Sequence, residues 1–396
     1  MDPSVHIDQV LRRATDAGEI PGVAAAVATD REVIYQGAFG KRDLSRPQPM
    51  TIDSVFWIAS LTKAITSVAA MQLVEQGKLS LDGPIATALP ELAGPQVLEG
   101  FDADDGAPKL RPARNPITLR QLLTHTAGFC YDGFNREMAT YLAKTGTPGI
   151  VTCKRAALEV PIMTDPGTRW EYGINIDLVG LAVEAVSGKR LDLYFRDHIL
   201  DPLGMNDTAF KISDAMRARL VGMHARQPDG ALAPIPFELE QQPEVHLGGG
   251  GLYATALDYL AFIQTILNKG HGNGRQLLKP ETVQLMGQNH IGDLCMTRML
   301  TAAPPFSNDF DPYPDIPKKW GLGFMINTAR TPEGRSAGSL AWAGLPNAYY
   351  WIDPARGVTG VILAQLLPFA DQKCLDTFAA LEREVYASLD KTRRVA

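Results

Sequence analysis

Ser60-Leu61-Thr62-Lys63-Ala64-Ile65-Thr66-Ser67-Val68-Ala69-Ala70-Met71-Gln72 is the stretch on which the reading of this chain turns. Leu61, Ile65, Val68 and Met71 recur at helical spacing and Gly77 closes the run, which predicts a helix from Ser60 to Gln76. Residues i and i+3 share a helix face with Cβ atoms about 5–6 Å apart, so the Ser60 hydroxyl and the Lys63 amine can meet. A serine in the first turn also sits among unpaired backbone N–H groups at the positive dipole end, where a developing oxyanion is stabilised. A buried lysine can lose its proton and activate such a serine. Four residues of this pattern also arise on ordinary surface helices. The rest of the chain has to give them their meaning.

Working outward, both chain ends read as strands. Val10, Leu11 and Ala14 mark a helix before Gly18; Gly22–Ala28 and Glu32–Gly37 then form two β-like runs around Thr29-Asp30-Arg31. Near the other end, Trp320–Asn327, Ser339–Ala343, Tyr349–Asp353 and Val358–Gln365 read as strands. A final helix follows from about Asp371 to Leu389, with Leu375, Phe378, Leu381 and Val385 on one stripe. Between them lie helical signals: a capping box at Thr118-Leu119-Arg120-Gln121, the stripe Ile176, Val179, Val183 and Val186 ended by Gly188, and a start at Thr255-Ala256-Leu257-Asp258. Pro95–Pro116 and Ala303–Lys319, the latter with five prolines, read as long loops of the kind that form lids or pocket walls. The expected fold class is α+β, one antiparallel sheet flanked by helices plus a mostly helical lobe. Residues 1–70 and 235–396 are assigned to the α/β lobe and 71–234 to the helical lobe, with the active site between them.

Composition narrows the function. The chain has 396 residues, 45 % hydrophobic and 21 % charged, enough for a sizeable core. Lys plus Arg number 38 against 44 Asp plus Glu, a net charge of −6, which offers no footprint for nucleic acid or an anionic membrane. The best apolar run, Val358–Ala370, is short and broken by Gly360, Gln365 and Pro368. The N-terminus, from Met1 to His6, lacks the apolar region of a secretory signal, so a cytoplasmic protein is expected. Cys130, Cys153, Cys295 and Cys374 are scattered and read as reduced thiols. The seven histidines have no metal-ligand spacing, and no cofactor is expected. Gly334-Arg335-Ser336-Ala337-Gly338 matches G-x-S-x-G but leads into a strand, so it reads as a turn and not a nucleophile elbow.

Six pieces occur in order: Ser60-Leu61-Thr62-Lys63, Leu122–Gly128, Pro166-Gly167 with Tyr172, Pro202–Met205, Gly248–Leu252 with Asp258, and Trp342-Ala343-Gly344. Together they resemble the serine β-lactamase and penicillin-binding-protein superfamily, in its class C-like branch of family VIII carboxylesterases, a group that includes acyltransferases. The resemblance implies a β-lactamase/DD-peptidase-like fold and a Ser-Lys-Tyr acyl-enzyme mechanism. Ser60 would be the nucleophile, Lys63 would hold or take its proton, and Tyr172 would act as base and then acid. An isolated phenol titrates near ~10, so the tyrosine needs an adjacent cation or a proton shared with Lys63. Which of the two is the base stays open. The resemblance also implies an oxyanion hole from the N–H groups of Ser60 and Leu345, and substrate contacts from Tyr131, Trp342, Gly344 and Asn175.

Two departures favour an esterase over a β-lactamase. Ile174 stands where class C enzymes carry the asparagine of the second motif, and Asn175 follows it. Trp342 stands where they carry a lysine, so an uncharged ester substrate is expected, with Trp342 setting that preference. His125 is expected to make a structural hydrogen bond. The Gly248–Gly251 run is expected to serve close backbone packing beside the pocket. The expected function is a serine carboxylesterase acting on short-to-medium acyl esters. Its rivals are an acyltransferase using the same residues, a weak β-lactamase, and a ligand sensor or inert scaffold. The expected partner is a small-molecule ester, with no nucleic acid and no membrane; the oligomeric state stays open, a homodimer included.

Overall fold

Strands buried on both faces lose the alternation of polar and apolar residues, and Gly22–Thr29, Leu340–Gly344, Ala348–Asp353 and Val358–Leu363 are of that kind. The computed structural model describes residues 3–395, the side chains of Pro3 and of 392–395 excepted; Met1 and Asp2, part of the N-terminal reading, lie outside it. In chain order, α1 (Pro3–Asp16), β1 (Gly22–Thr29) and β2 (Val33–Gly40) precede α2 (Thr62–Glu75). Then come β3 (Gln96–Phe101), β4 (Pro108–Pro112), α3 (Leu119–Leu123), α4 (Asn175–Ser187) and α5 (Ala256–Leu267). The C-terminal part holds β5 (Lys318–Trp320), β6 (Met325–Asn327), β7 (Leu340–Gly344), β8 (Ala348–Asp353), β9 (Val358–Leu363) and α6 (Gln372–Val395).

The sheet order is β5-β6-β7-β8-β9-β1-β2, antiparallel throughout, so the N-terminal hairpin completes a sheet begun by the C-terminal strands. Alternate residues of β8 meet different helices. Tyr350 packs on Tyr259 of α5 with ring centroids 5.4 Å apart, and Tyr349 stacks on Phe378 of α6 at 5.0 Å. Each fully buried apolar side chain of this layer, such as Leu381, contributes about 1.5–3 kcal/mol. Opposite Trp351 lies Gly360, and a Cβ there would stand 2.2 Å from the indole. Glycine makes room for the tryptophan.

The capping box at Thr118 is present: its hydroxyl accepts from Gln121 N–H while the Gln121 side chain accepts from Thr118 N–H. Thr255 caps α5 through the Asp258 N–H, and Gly188 ends α4 in the left-handed conformation. The turn at Gly334–Gly338 enters β7, as its sequence context implies. All four cysteines are free thiols. Among the described residues no helix is long and apolar enough to cross a membrane.

Three readings need correction. Pro95–Pro116 is not a loop but contains the β3–β4 hairpin. Prolines at both ends of β4 and a register shift between Leu98 and Gly100 mask its alternation. Trp320–Asn327 is not one strand: Gly321 N–H donates to the Phe324 carbonyl at 2.8 Å, turning the chain between β5 and β6. Gly323 in that turn has φ 97°, and a Cβ there would strike Ser67 Oγ at 2.2 Å. The α2 helix is not amphipathic either, since Thr62 to Leu73 are all buried. It runs through the molecule's interior, and the 70/71 lobe boundary falls inside it. Ala303–Pro317 does lack regular structure, with β5 starting at Lys318.

Gly360→Ala is expected to destabilise the protein by about 1–3 kcal/mol, the usual cost of overpacking a core. A urea unfolding midpoint equal to wild type would show that the sheet can yield around Trp351.

Candidate active site

The backbone entering α2 is shaped before any side chain acts. Ala59 has φ 44°, a left-handed conformation that a non-glycine residue adopts at a cost of about 1 kcal/mol or more. Ile58 N–H, bound to the Leu252 carbonyl at 3.0 Å, and the Leu61 carbonyl, accepting from Tyr259 Oη at 3.0 Å, hold the turn from both sides. Ser60 then lies in a single 3₁₀ turn, Ala59–Leu61, directly ahead of α2. Its hydroxyl borders a cavity of about 220 Å³.

Lys63, one turn on, is 1 % exposed. Its Nζ stands 3.1 Å from Ser60 Oγ, 3.0 Å from Tyr131 Oη and 2.6 Å from the Gly249 carbonyl. It also lies 4.8 Å from the centre of the Tyr172 ring. Tyr131 in turn donates to Asp177 Oδ2 at 3.0 Å, and Gly249 N–H donates to Asp177 Oδ1 at 2.8 Å. Burial pushes the Tyr131 phenol well above its ordinary range, and the Asp177 charge adds to this. Burial raises the Asp177 carboxyl too, while Lys63, the Gly249 N–H and the Tyr131 hydroxyl pull it back. The buried charges are therefore paired with each other and with fixed dipoles.

Ser60, Tyr131, Tyr172 and Leu345 all border the cavity. Leu345 comes near because Gly344 permits it: a Cβ at 344 would stand 2.5 Å from the Ile58 carbonyl. Gly344 itself is buried and is not among the residues that border the cavity. Asn175 is also turned away, fully buried, its Nδ2 3.1 Å from both His125 Nδ1 and the Phe129 carbonyl. Standing at the first position of α4, it is drawn inward to satisfy these loop groups.

Trp342 is corrected as well. It does not border the cavity, and its Nε1–H donates to Tyr172 Oη at 3.1 Å. Its ring packs on Trp320 at 4.6 Å and on Tyr172 at 5.0 Å. A side chain so enclosed packs on the tyrosine and holds its hydroxyl. His125, fully buried, packs on the Tyr172 ring at 4.9 Å; burial, aided by the Lys63 charge, lowers its basicity well below the ordinary imidazole range. It stays neutral and makes no bond to Ser60.

Sequence reasoning misses Asp177 and most of the cavity walls, the proline-rich segment after Ala303 excepted. The walls are Trp57, Phe134, Ile150, Val151, Leu239, Leu247 and Phe306, and no lysine or arginine is among the described lining residues. Asp132 and Asp177 are the charged groups there. The proline-rich segment supplies Ala303, Phe306 and Ser307, pinned where Ala302 N–H meets the Gly133 carbonyl at 2.8 Å and Asn308 N–H meets Phe369 O at 2.9 Å. The Gly248–Gly251 run does pack closely: a Cβ at 249 would lie 2.3 Å from Asp177 Oδ2, and Trp57 Nε1–H donates to the Gly250 carbonyl at 2.7 Å.

Comparison with known proteins finds relatives along nearly the whole chain. The family profile described as Beta-lactamase matches residues 7–384. The chain is 33 % identical to the lovastatin esterase of Penicillium rubens, over 96 % of this chain and 98 % of that protein. It is 32 % identical to the monacolin J acid methylbutanoyltransferase of Aspergillus terreus, over 98 % and 96 %. A mutant of simvastatin synthase from Aspergillus terreus superposes with a TM-score of 0.85 at 31 % identity, covering 98 % of each chain. EstCE1, a hydrolase with promiscuous acyltransferase activity, shares the fold with a TM-score of 0.77 at 23 % identity, over 97 % and 98 %.

Trp342→Phe keeps an aromatic ring, smaller than the indole, and removes the N–H. Turnover of a neutral ester is expected to fall roughly 5- to 30-fold, the equivalent of one hydrogen bond of about 1–2 kcal/mol. KM should stay within about twofold, since the indole does not meet the substrate. A change confined to KM would return Trp342 to the pocket wall.

Proposed function

This chain belongs to the Beta-lactamase family, and from that premise we propose that it is a serine carboxylesterase working through an acyl-enzyme on Ser60. The observation that carries the reading is the 3.1 Å contact between Lys63 Nζ and Ser60 Oγ at the floor of an apolar cavity. Ser60 Oγ attacks the ester carbonyl as its proton passes to Lys63. The N–H groups of Ser60 and Leu345 receive the oxyanion. Tyr172 accepts a hydrogen bond from Trp342, so its own O–H is free to turn toward the leaving alcohol and protonate it. The proton held by Lys63 restores the tyrosine. Water then attacks the acyl-enzyme by the same steps in reverse, releasing the acid and freeing Ser60.

The walls support a neutral substrate with an apolar acyl group of short-to-medium length. The relatives named an esterase and a methylbutanoyltransferase support acyl chemistry of this type and keep a second reading alive. In that reading an alcohol bound against Ile150, Val151 and Phe306 takes the acyl group in place of water.

Fluorophosphonate should label Ser60, and Ser60→Ala should abolish both labelling and p-nitrophenyl ester hydrolysis across the acyl series. Labelling at Ser336 would overturn the mechanism. Product partition with added alcohols, measured at fixed p-nitrophenol release, separates hydrolysis from transfer.

Charge preference follows from the lining. An ester carrying a free carboxylate meets Asp132 and no cation, a penalty of about 1–3 kcal/mol, so kcat/KM should favour the matched neutral ester by roughly 5- to 160-fold. Asp132→Asn should narrow that gap. Equal rates on both esters in the wild type would mean that the charged end stays in solvent.

A further inference from the structure

Lys63 has three nitrogen valences beyond its side-chain bond, and the structure gives each one a partner. The Gly249 carbonyl, at 2.6 Å, can only accept a hydrogen bond. Tyr131 Oη, at 3.0 Å, directs its own proton to Asp177 Oδ2, so a lone pair faces Lys63. Both positions must therefore be met by N–H. The third faces Ser60 Oγ at 3.1 Å, where either an N–H or a lone pair is acceptable.

Both fixed acceptors are themselves set by one carboxylate. Asp177 receives Tyr131 on Oδ2 and the Gly249 N–H, at 2.8 Å, on Oδ1. Only glycine fits at 249, because any Cβ would collide with that carboxylate. Asp177 is 1 % exposed and stands two residues into α4, far in sequence from both groups it holds.

We propose that Asp177 is a positioning residue which, through Tyr131 and Gly249, leaves the lone pair of Lys63 aimed at Ser60 and so makes Lys63 the base of the acylation step. The proposal rests on the acyl-enzyme reading of Ser60. In that step the Ser60 O–H bond breaks, its proton adds to the Lys63 nitrogen, and the freed oxygen forms the bond to the ester carbonyl. Tyr172 keeps its proton for the leaving alcohol. The titratable groups around this arm are Lys63, Tyr131 and Tyr172, with Asp132 beyond Tyr131, His125 beyond Lys63 and Cys153 beyond Asp177.

The test is the pH dependence of fluorophosphonate labelling at Ser60, a direct reading of serine activation, in wild type, Asp177→Asn and Tyr131→Phe. Asp177→Asn keeps the shape and removes the charge. Its plateau labelling rate should fall about 10- to 100-fold through misorientation of the amine. Its ascending limb should move acid-ward by about one unit or more, because an ammonium without its counter-charge gives up a proton more readily. Tyr131→Phe removes the link but leaves the charge, so the plateau should fall with a much smaller movement of the limb.

A wild-type limb position in Asp177→Asn, whatever its plateau, would overturn the proposal and leave Asp177 a packing residue. If Asp177→Asn does not fold, Tyr131→Phe decides, since an unchanged plateau there would equally refute the arm. Wild-type protein unlabelled at Ser60 would instead refute the acyl-enzyme reading itself.

Discussion

A lysine amine at 1 % exposure in the middle of the molecule is the constraint to which the surrounding structure answers. A buried charge is tolerated only when counter-charge and hydrogen-bond acceptors surround it in fixed positions. Lys63 receives these from three separate parts of the chain: the loop after α3 brings Tyr131, α4 brings Asp177, and the glycine run before α5 brings a carbonyl. Helix α2 must be enclosed on all sides for this to happen. That explains why it is buried around its circumference and not amphipathic.

The sheet serves the same end from the other side. Strand β7 ends against Ile58, where Gly344 allows backbone contact, and so brings Leu345 to the cavity with Ser60. The same strand carries Trp342 beneath Tyr172. The tyrosine is held by tryptophan, histidine and tryptophan rings at 342, 125 and 170, with centroids 5.0, 4.9 and 6.2 Å away. A neutral N–H thus occupies the position opposite the phenol oxygen. It can orient the hydroxyl without adding positive charge to the pocket, consistent with a lining that holds carboxyls and no cation.

What the sequence discloses depends on the range of the interaction. Ser60 and Lys63 are legible because their contact is one helical turn long, and the capping box at Thr118 and the N-cap at Thr255 are legible for the same reason. Tyr172 is reached through order of motifs along the chain, not through spacing. Asp177 escapes because a first-turn acid on a helix is ordinary, being favourable toward the dipole. Its partners lie 46 and 72 residues away. A signal was present: it is an acid inside the apolar run Ile174–Val183, where a solvated face is absent. The facing of Trp342 was not legible, because β7 is buried on both faces and the period of two carries no polarity. The β3–β4 hairpin was hidden by its own prolines and bulge.

The division between hydrolysis and transfer follows from where specificity can reside in such a site. The groups that move protons treat water and an alcohol alike, since each offers one O–H to the same base and attacks the same acyl carbonyl. Discrimination must then come from the walls, through how well an acceptor is held near Ser60 while water is kept out. Here Phe306 and Val151 are 44 % exposed at the mouth, so an apolar alcohol gains burial there that water cannot. Each such side chain covered by an acceptor favours transfer by a fraction of its transfer free energy. Water counters with a concentration no solute approaches. On the proposed acyl-enzyme reading, that balance falls to Phe306, Val151 and Ile150 rather than to the serine, lysine and tyrosine, and a few substitutions in the walls would be enough to move it.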